Sequence, residues 1–219
     1  MATCGAPAAH AMNDAVMANR FRGFLPVIVD VETGGFNAET DALLEIAAVT
    51  LEVDATAGWR RQATLAHHIK PFAGAKLERR ALEFNKIDPF HPFRLALPED
   101  QALGEIFAAI RAQIVLHGCT RAILVGHNPA FDLAFLKAAS ARVKVKDFPF
   151  HNFSTFDTAA LAGVAFGQTV LARAVRAAGF GWDAEAAHSA IYDAERTADL
   201  FCTIVNRWDR LAPATGAAP

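Results

Sequence analysis

Cysteine is scarce in this chain of 219 residues: Cys4, Cys119 and Cys202 are the whole complement, with no C-x-x-C pair among them. An odd, widely spaced set argues against a disulfide framework and a cysteine-built zinc site, and fits reduced thiols in a reducing compartment. Long hydrophobic runs are missing too. The best stretch, Leu43 to Val53, is broken by Glu45 and Glu52, far short of the ~20 apolar residues that cross a bilayer. No basic cluster followed by an apolar block opens the chain, so no secretory leader is read there. Charge of one sign is also lacking. Lys+Arg number 21 against 23 Asp+Glu, a formal charge of −2, which neither favours nor excludes nucleic acid because local clustering decides that. Repeats and low-complexity linkers are absent as well. The expectation is a soluble cytoplasmic protein with no membrane partner.

What the sequence does hold is a core. A hydrophobic share of 53% with 20% charged residues excludes global disorder. A single domain of this length buries about 70% of its unfolded surface without any staple. The Ala-rich stretch 1–19 is expected to be a mobile extension, 212–219 a mobile tail, and 20–211 the folded domain. Within it, Pro26 to Val31 reads as a buried strand ended by Gly34-Gly35, and Leu43–Val53 and Leu65–Ile69 as two more, with a turn near Gly58. Pro98-Glu99-Asp100 opens a helix with Leu103, Ile106, Phe107 and Ile110 on one face. Arg121–Gly126 is a further strand, Ala130–Ala141 a helix, and Thr169–Ala178 a helix stopped at Gly179. The longest helix is expected over Ser189–Arg210, with Ile191, Ala194, Ala198, Phe201 and Val205 facing inward. Strands first, then strands and helices in alternation, make an α/β domain on a mixed sheet.

The chemistry lies in carboxylates. Asp30 and Glu32 stand two apart at the end of the first strand, so both point to one face. Two neighbouring anions after an apolar run are costly unless a cation or proton sits between them. A polar strand end is the plain alternative. Asp132 follows the strand Arg121–Gly126, where open α/β sheets place ligands, or it is simply a first-turn acid favoured by the helix dipole. With Ser189 as helix cap, Asp193 lies one turn in and His188 just outside, able to swing toward the same cleft. Asp157 reads better as a helix cap than as a ligand. Oxygen donors without cysteine suit Mg²⁺ or Mn²⁺. Two such ions about 3.5–4 Å apart serve in-line attack on a phosphodiester, and a histidine with a pKa of ~6.5 could take the water's proton.

Asp30-Val31-Glu32-Thr33, His127-Asn128-x-x-Phe131-Asp132 and His188-x4-Asp193 resemble, in this order, the three exonuclease motifs of the DEDD superfamily, histidine subtype. Arg20 to Phe24, Thr40 to Thr50, Phe84-Asn85-x-Ile87-Asp88-Pro89, Thr155 to Gly163 and Phe201 to Trp208 look more narrowly like the bacterial ribonuclease T family, over about Arg20 to Leu211. The resemblance implies a ribonuclease H-like mixed five-stranded sheet flanked by helices and a homodimer. It implies Mg²⁺-dependent 3′→5′ trimming of single-stranded 3′ ends of tRNA and other stable RNAs, with 5′-monophosphates released. Asp30, Glu32, Asp132 and Asp193 would hold two Mg²⁺ ions, replaceable by Mn²⁺, with Asp30 bridging them because it lies deepest on the strand. His188 would be the general base.

Seventeen phenylalanines stand against one tyrosine, and most must be core. Phe36, Phe84, Phe131 and Phe153 are harder to bury by periodicity, and they match positions that stack terminal bases in the family. Stacking contributes ~1–3 kcal/mol per base and tolerates any sequence, as trimming requires. Arg80, one helical turn before Phe84, departs from the family, which has an acidic residue there, so any inherited discrimination against terminal cytosine is not carried over. Arg20, Arg22, Arg121 and the Lys144/Lys146 pair form the candidate basic patch. In the family such a patch grips RNA threaded into the other subunit's site. The competing readings are a proofreading or repair exonuclease of the same superfamily on single-stranded DNA, a catalytically idle RNA-binding module, and a hydrolase of small phosphoesters.

Overall fold

The computed structural model describes residues 16–211 apart from Ala55. Five strands, β1 (Phe24–Thr33), β2 (Leu43–Asp54), β3 (Gly58–His68), β4 (Arg121–Gly126) and β5 (Phe150–Asp157), form one sheet in the order β3-β2-β1-β4-β5. The first three make an antiparallel meander, and β4 and β5 then add parallel to β1. Six α-helices lying wholly within the described residues flank it: α1 (Arg79–Asn85), α2 (Glu99–Leu116), α3 (Ala130–Arg142), α4 (Thr158–Phe166), α5 (Leu171–Ala177) and α6 (Ala190–Leu211). This is the expected mixed sheet.

β1 is the central strand. Val27, Ile28 and Val29 are buried because helices cover both faces, so the strand reads as an uninterrupted β-branched run rather than an alternation. On one face α6 packs across β1, β2 and β3. Its buried line runs through Ala190, Ala194, Ala198, Phe201 and Val205. The expected inward Ile191 is instead exposed, since the helical turn puts Ala190, one residue earlier, on the core side. α2 buries Leu103, Ile106, Phe107 and Ile110 as its spacing requires. A smaller apolar cluster links α4, α5 and α6 through Ala162, Val175 and Leu200.

Two strands differ from the sequence reading. β3 begins at Gly58 (φ +76°), so the glycine placed in the turn opens the strand, seven residues before the expected Leu65. Its early part is an edge carrying Arg60, Arg61, Gln62 and Thr64, a polar run that masks a strand because its partners are charged side chains. Arg60 pairs with Glu52 on β2, while Arg61 pairs with Glu195 and Asp199 on α6. β5 covers Phe150 to Phe153, where the sequence reading placed no strand; it joins β4 with an irregular register between Ala122 and Leu124. Of the expected mobile extension, residues 1–15 lie outside the described residues, while residues 16–19 are helical and Met17 is buried in the core. The 212–219 tail and Cys4 also lie outside the described residues. No single described helix is long and apolar enough to cross a membrane.

Candidate active site

The C-terminal half of β1 carries Asp30 and Glu32 on one face, opposite Ala47 and Glu45 of β2. β4 ends beside it at Gly126, and the chain turns there into α3, whose first turn holds Asp132. Asp132 Oδ1 accepts a 3.0 Å hydrogen bond from the Val31 amide, which pins α3 between the two β1 carboxylates. Asp193 enters from the first turn of α6. Ligand oxygens of Asp30, Glu32 and Asp193 lie within 4.8 Å of one another. Asp132 stands beside this trio with one oxygen already engaged.

Such crowding has an electrostatic signature. Burial first, then repulsion from Asp132, Glu32, Asp193 and Glu45, holds the Asp30 carboxyl far above its ordinary range. Burial and then Asp193, Glu45 and Asp132 push Glu32 up to about 8, while a hydrogen bond from Asn85 works against the rise. Burial raises Asp132 to about 7, against the Val31 hydrogen bond, and raises Asp193 as well. No described Lys or Arg forms an ion pair with any of the four. Asp193 supplies a further mark: its Oδ2 accepts from the His188 amide at 3.3 Å, while its Oδ1 is buried without a hydrogen-bond partner. An orphaned, buried carboxylate oxygen beside two further anions is the donor set of a hard divalent cation. The residues fit a metal.

His188 sits in the turn before α6 with φ +66°, a left-handed conformation uncommon for a residue with a side chain. Its ring rests on Phe84 with centroids 4.1 Å apart. His127 is structural: one ring nitrogen meets Thr158 Oγ1 at 3.0 Å and the other the Thr169 carbonyl at 2.8 Å. Asp157 caps α4, accepting from the Ala159 amide at 2.9 Å, and also holds the Asn128 amide.

Beside the carboxylates lies a cavity of about 310 Å³ whose wall includes Glu32, Phe36, Arg80, Phe84 and Phe131. Phe36 is 81% exposed and Phe84 63%. Phe131 is half-buried, its ring packed on Phe135 and edge-on to Phe36. Phe36 reaches this wall because Gly35 lets the chain run tight against Asp41; a Cβ at Gly35 would come within 2.1 Å of the Asp41 carboxylate. Three of the four expected stacking residues therefore share one pocket. Phe153 does not; it is exposed on β5 beside His151.

The basic residues lie elsewhere. Arg121 is in register with Phe24 at the start of β1, and Arg22 lies over the Phe24 ring. Arg20 is engaged with Asp209 near the end of α6 at 3.0 Å. From Phe24 to Glu32, at ~3.3 Å per residue, is about 26 Å, so this patch is at the opposite end of β1 from the carboxylates. Two neighbours of the site escaped the sequence reading. Asn85 donates to the Thr33 carbonyl at 3.0 Å as well as touching Glu32. Glu45 lies directly across from Glu32. Asn85 and Glu45 were visible only as parts of the Phe84–Pro89 and Thr40–Thr50 stretches, and the place of Glu45 opposite Glu32 emerges only from the β1–β2 register.

Residues 27–201 match a protein family described as exonuclease, under the ribonuclease T name. The chain is 58% identical over 193 residues to a ribonuclease T of Vibrio campbellii, covering 88% of this chain and 90% of that one. It is 58% identical over 195 residues to a ribonuclease T of Marinobacter nauticus, covering 89% and 88%, and 58% identical over 196 residues to one of Salmonella choleraesuis, covering 89% and 91%. Among solved structures, E. coli exonuclease I in complex with an oligonucleotide superimposes with a TM-score of 0.64 at 17% identity, over 86% of this chain. The chain spans only 42% of the exonuclease I length, and that likeness is one of fold.

Proposed function

This chain belongs to the ribonuclease T family of exonucleases, and from that premise we propose that it trims the single-stranded 3′ ends of tRNA and other stable RNAs as a Mg²⁺-dependent homodimer in the cytoplasm. The enzyme is a 3′→5′ exonuclease, a hydrolase of phosphodiester bonds. The observation that carries the finer reading is the junction of an uncompensated carboxylate cluster with a phenylalanine-lined pocket on one side of Glu32. A chain end can be held there by its bases while its last phosphodiester reaches the anions.

Asp30, Glu32, Asp132 and Asp193 would hold two Mg²⁺ ions, which when bound supply an activated water and neutralise charge developing on the phosphate. The protein's own groups do the rest. Phe36 and Phe84 stack the terminal bases without reading them, which suits substrates of any sequence. Phe131 backs Phe36 and fixes its edge. His188, once its imidazole leaves Phe84, takes the water's proton at a ring nitrogen. Arg80 places a cation on the pocket wall, close to where a terminal base or phosphate would rest.

Two features support a dimer. The basic set Arg20, Arg22 and Arg121 is too far from the carboxylates of its own chain to grip the last few nucleotides, but a patch offered by a second copy could hold the same strand upstream. An exposed apolar groove lined by Phe21, Leu161, Val164, Trp208 and Leu211, with Val164 87% exposed, suits a second copy of the chain. The test compares rates on RNA and DNA single strands of the same sequence, with sedimentation run on the same sample. Faster shortening of RNA by a dimer supports the reading. A preference for DNA moves the enzyme to the repair class, and an active monomer removes the dimer.

A further inference from the structure

We propose that Glu45 is a positioning residue for the exonuclease reaction: it ties the turn that carries His188 to the sheet. Glu45 sits on β2 in register with Glu32, and directly paired residues share a face with Cβ atoms ~4.5–5.5 Å apart. A fifth carboxylate there would only add repulsion unless it had work of its own, and its contacts differ from those of the other four. Oε1 lies 2.9 Å from His68 Nδ1 and 3.9 Å from Arg94 Nη2. Oε2 accepts from the Ala190 amide at 3.4 Å. Ala190 is the first residue of α6, so its amide has no partner within the helix, and a carboxylate at that end is favoured by the helix dipole.

The anchor itself is fixed. Arg94 Nη2 donates to the Leu44 carbonyl at 2.7 Å and Nη1 to the Ile69 carbonyl at 3.4 Å. His68 lies opposite Glu45 in the β2–β3 register. The result is a row from β3 through β2 that ends on the first peptide of α6. The His188 turn is thereby held at two adjacent points: the His188 amide on Asp193 Oδ2 and the Ala190 amide on Glu45 Oε2. Between them His188 keeps φ +66°, and among the described residues the Glu45 contact is the hydrogen bond that ties this turn to the sheet. Glu45 touches no substrate in this account. It acts through His188.

The inference rests on His188 as general base, and the experiment separates the two. Glu45→Ala, His188→Ala and the double variant are assayed on whichever single strand the wild type degrades, with kcat, KM and Tm measured for each. Glu45→Ala should lower kcat by about 10–100-fold, the usual cost of losing a residue that orients a catalytic group, with KM nearly unchanged. In the His188→Ala background the same substitution should cost little more, because coupled residues are non-additive. Glu45→Gln, which keeps an oxygen for the Ala190 amide, should recover most of the loss. Should Glu45→Ala not fold, Glu45→Asp, with its shorter reach, carries the same cycle. Equal loss factors in both backgrounds, an unchanged kcat, or a kcat loss that Gln fails to rescue would overturn the role of Glu45. An unimpaired His188→Ala would overturn the base and this inference together.

Discussion

Two groups of acids on helix α6 are treated oppositely. In its middle, Glu195 and Asp199 are matched: Arg61 lies 2.6 Å from each and Arg196 lies 2.9 Å from Asp199. At its first turn Asp193 meets Asp30 and Glu32, and no described Lys or Arg is paired with any of them. The outer cluster is neutralised by the fold. The inner one is left without counter-charge, and that choice costs stability, because burial raises every member and repulsion adds to it at Asp30 and Glu32. A chain keeps such a cluster only for something that supplies positive charge from outside. Acidity alone does not mark the site; the missing counter-charge does.

The sharpest way to break the comparison is to neutralise one inner acid. Asp30→Asn should reduce turnover to background yet raise the Tm of the metal-stripped protein, since it removes the most crowded anion; retained activity would take Asp30 out of the site. Next in size is His188→Ala, expected to cut kcat by roughly 10²–10⁴-fold with strand affinity preserved, checked by titrating a labelled oligonucleotide in the presence of Ca²⁺. Phe36→Ala and Phe84→Ala should each weaken binding by about 1–3 kcal/mol while leaving Tm in place, because both rings are exposed. A matching fall in Tm would make them core residues instead. The smallest change is expected on the compensated side. Arg61→Ala should lower stability by about 1 kcal/mol with kcat unaffected, and a lost kcat there would show that the two clusters are not independent.

How far the sequence was legible follows the same division between local and long-range physics. Asp30 and Glu32 could be placed on one face from strand periodicity alone, and the capping role of Asp157 followed from its position before a helix. Gathering Asp132 and Asp193 around them needed the motif order, since they come from two helices far apart in the chain. The place of Glu45 beside the site could not be read without knowing which residue of β2 faces Glu32. The start of β3 was hidden because an edge strand paired to α6 by charges has no apolar alternation to show. Ile191 was misplaced by one residue, a rotation of about 100° on a helix. Phe36, Phe84 and Phe131 converge, but Phe153 does not join their pocket, a distinction that depends on the irregular pairing of β4 with β5.

The most direct test of the uncompensated cluster is thermal unfolding of metal-stripped protein against pH, with and without Mg²⁺ or Mn²⁺. Glu32 at about 8 and Asp132 at about 7 lie above the ~4 of an unfolded carboxylate. Between those limits the folded state therefore binds more protons than the unfolded one. Stability is then greatest near and below pH 4 as far as these groups are concerned, and falls as pH rises toward 8. The account predicts a metal-free Tm contribution that declines from pH 5 to 8, restored by the divalent cation more strongly at pH 8 than at pH 5, with Asp30→Asn blunting both effects. A Tm that ignores the cation at pH 8, or responds equally in Asp30→Asn, would contradict it.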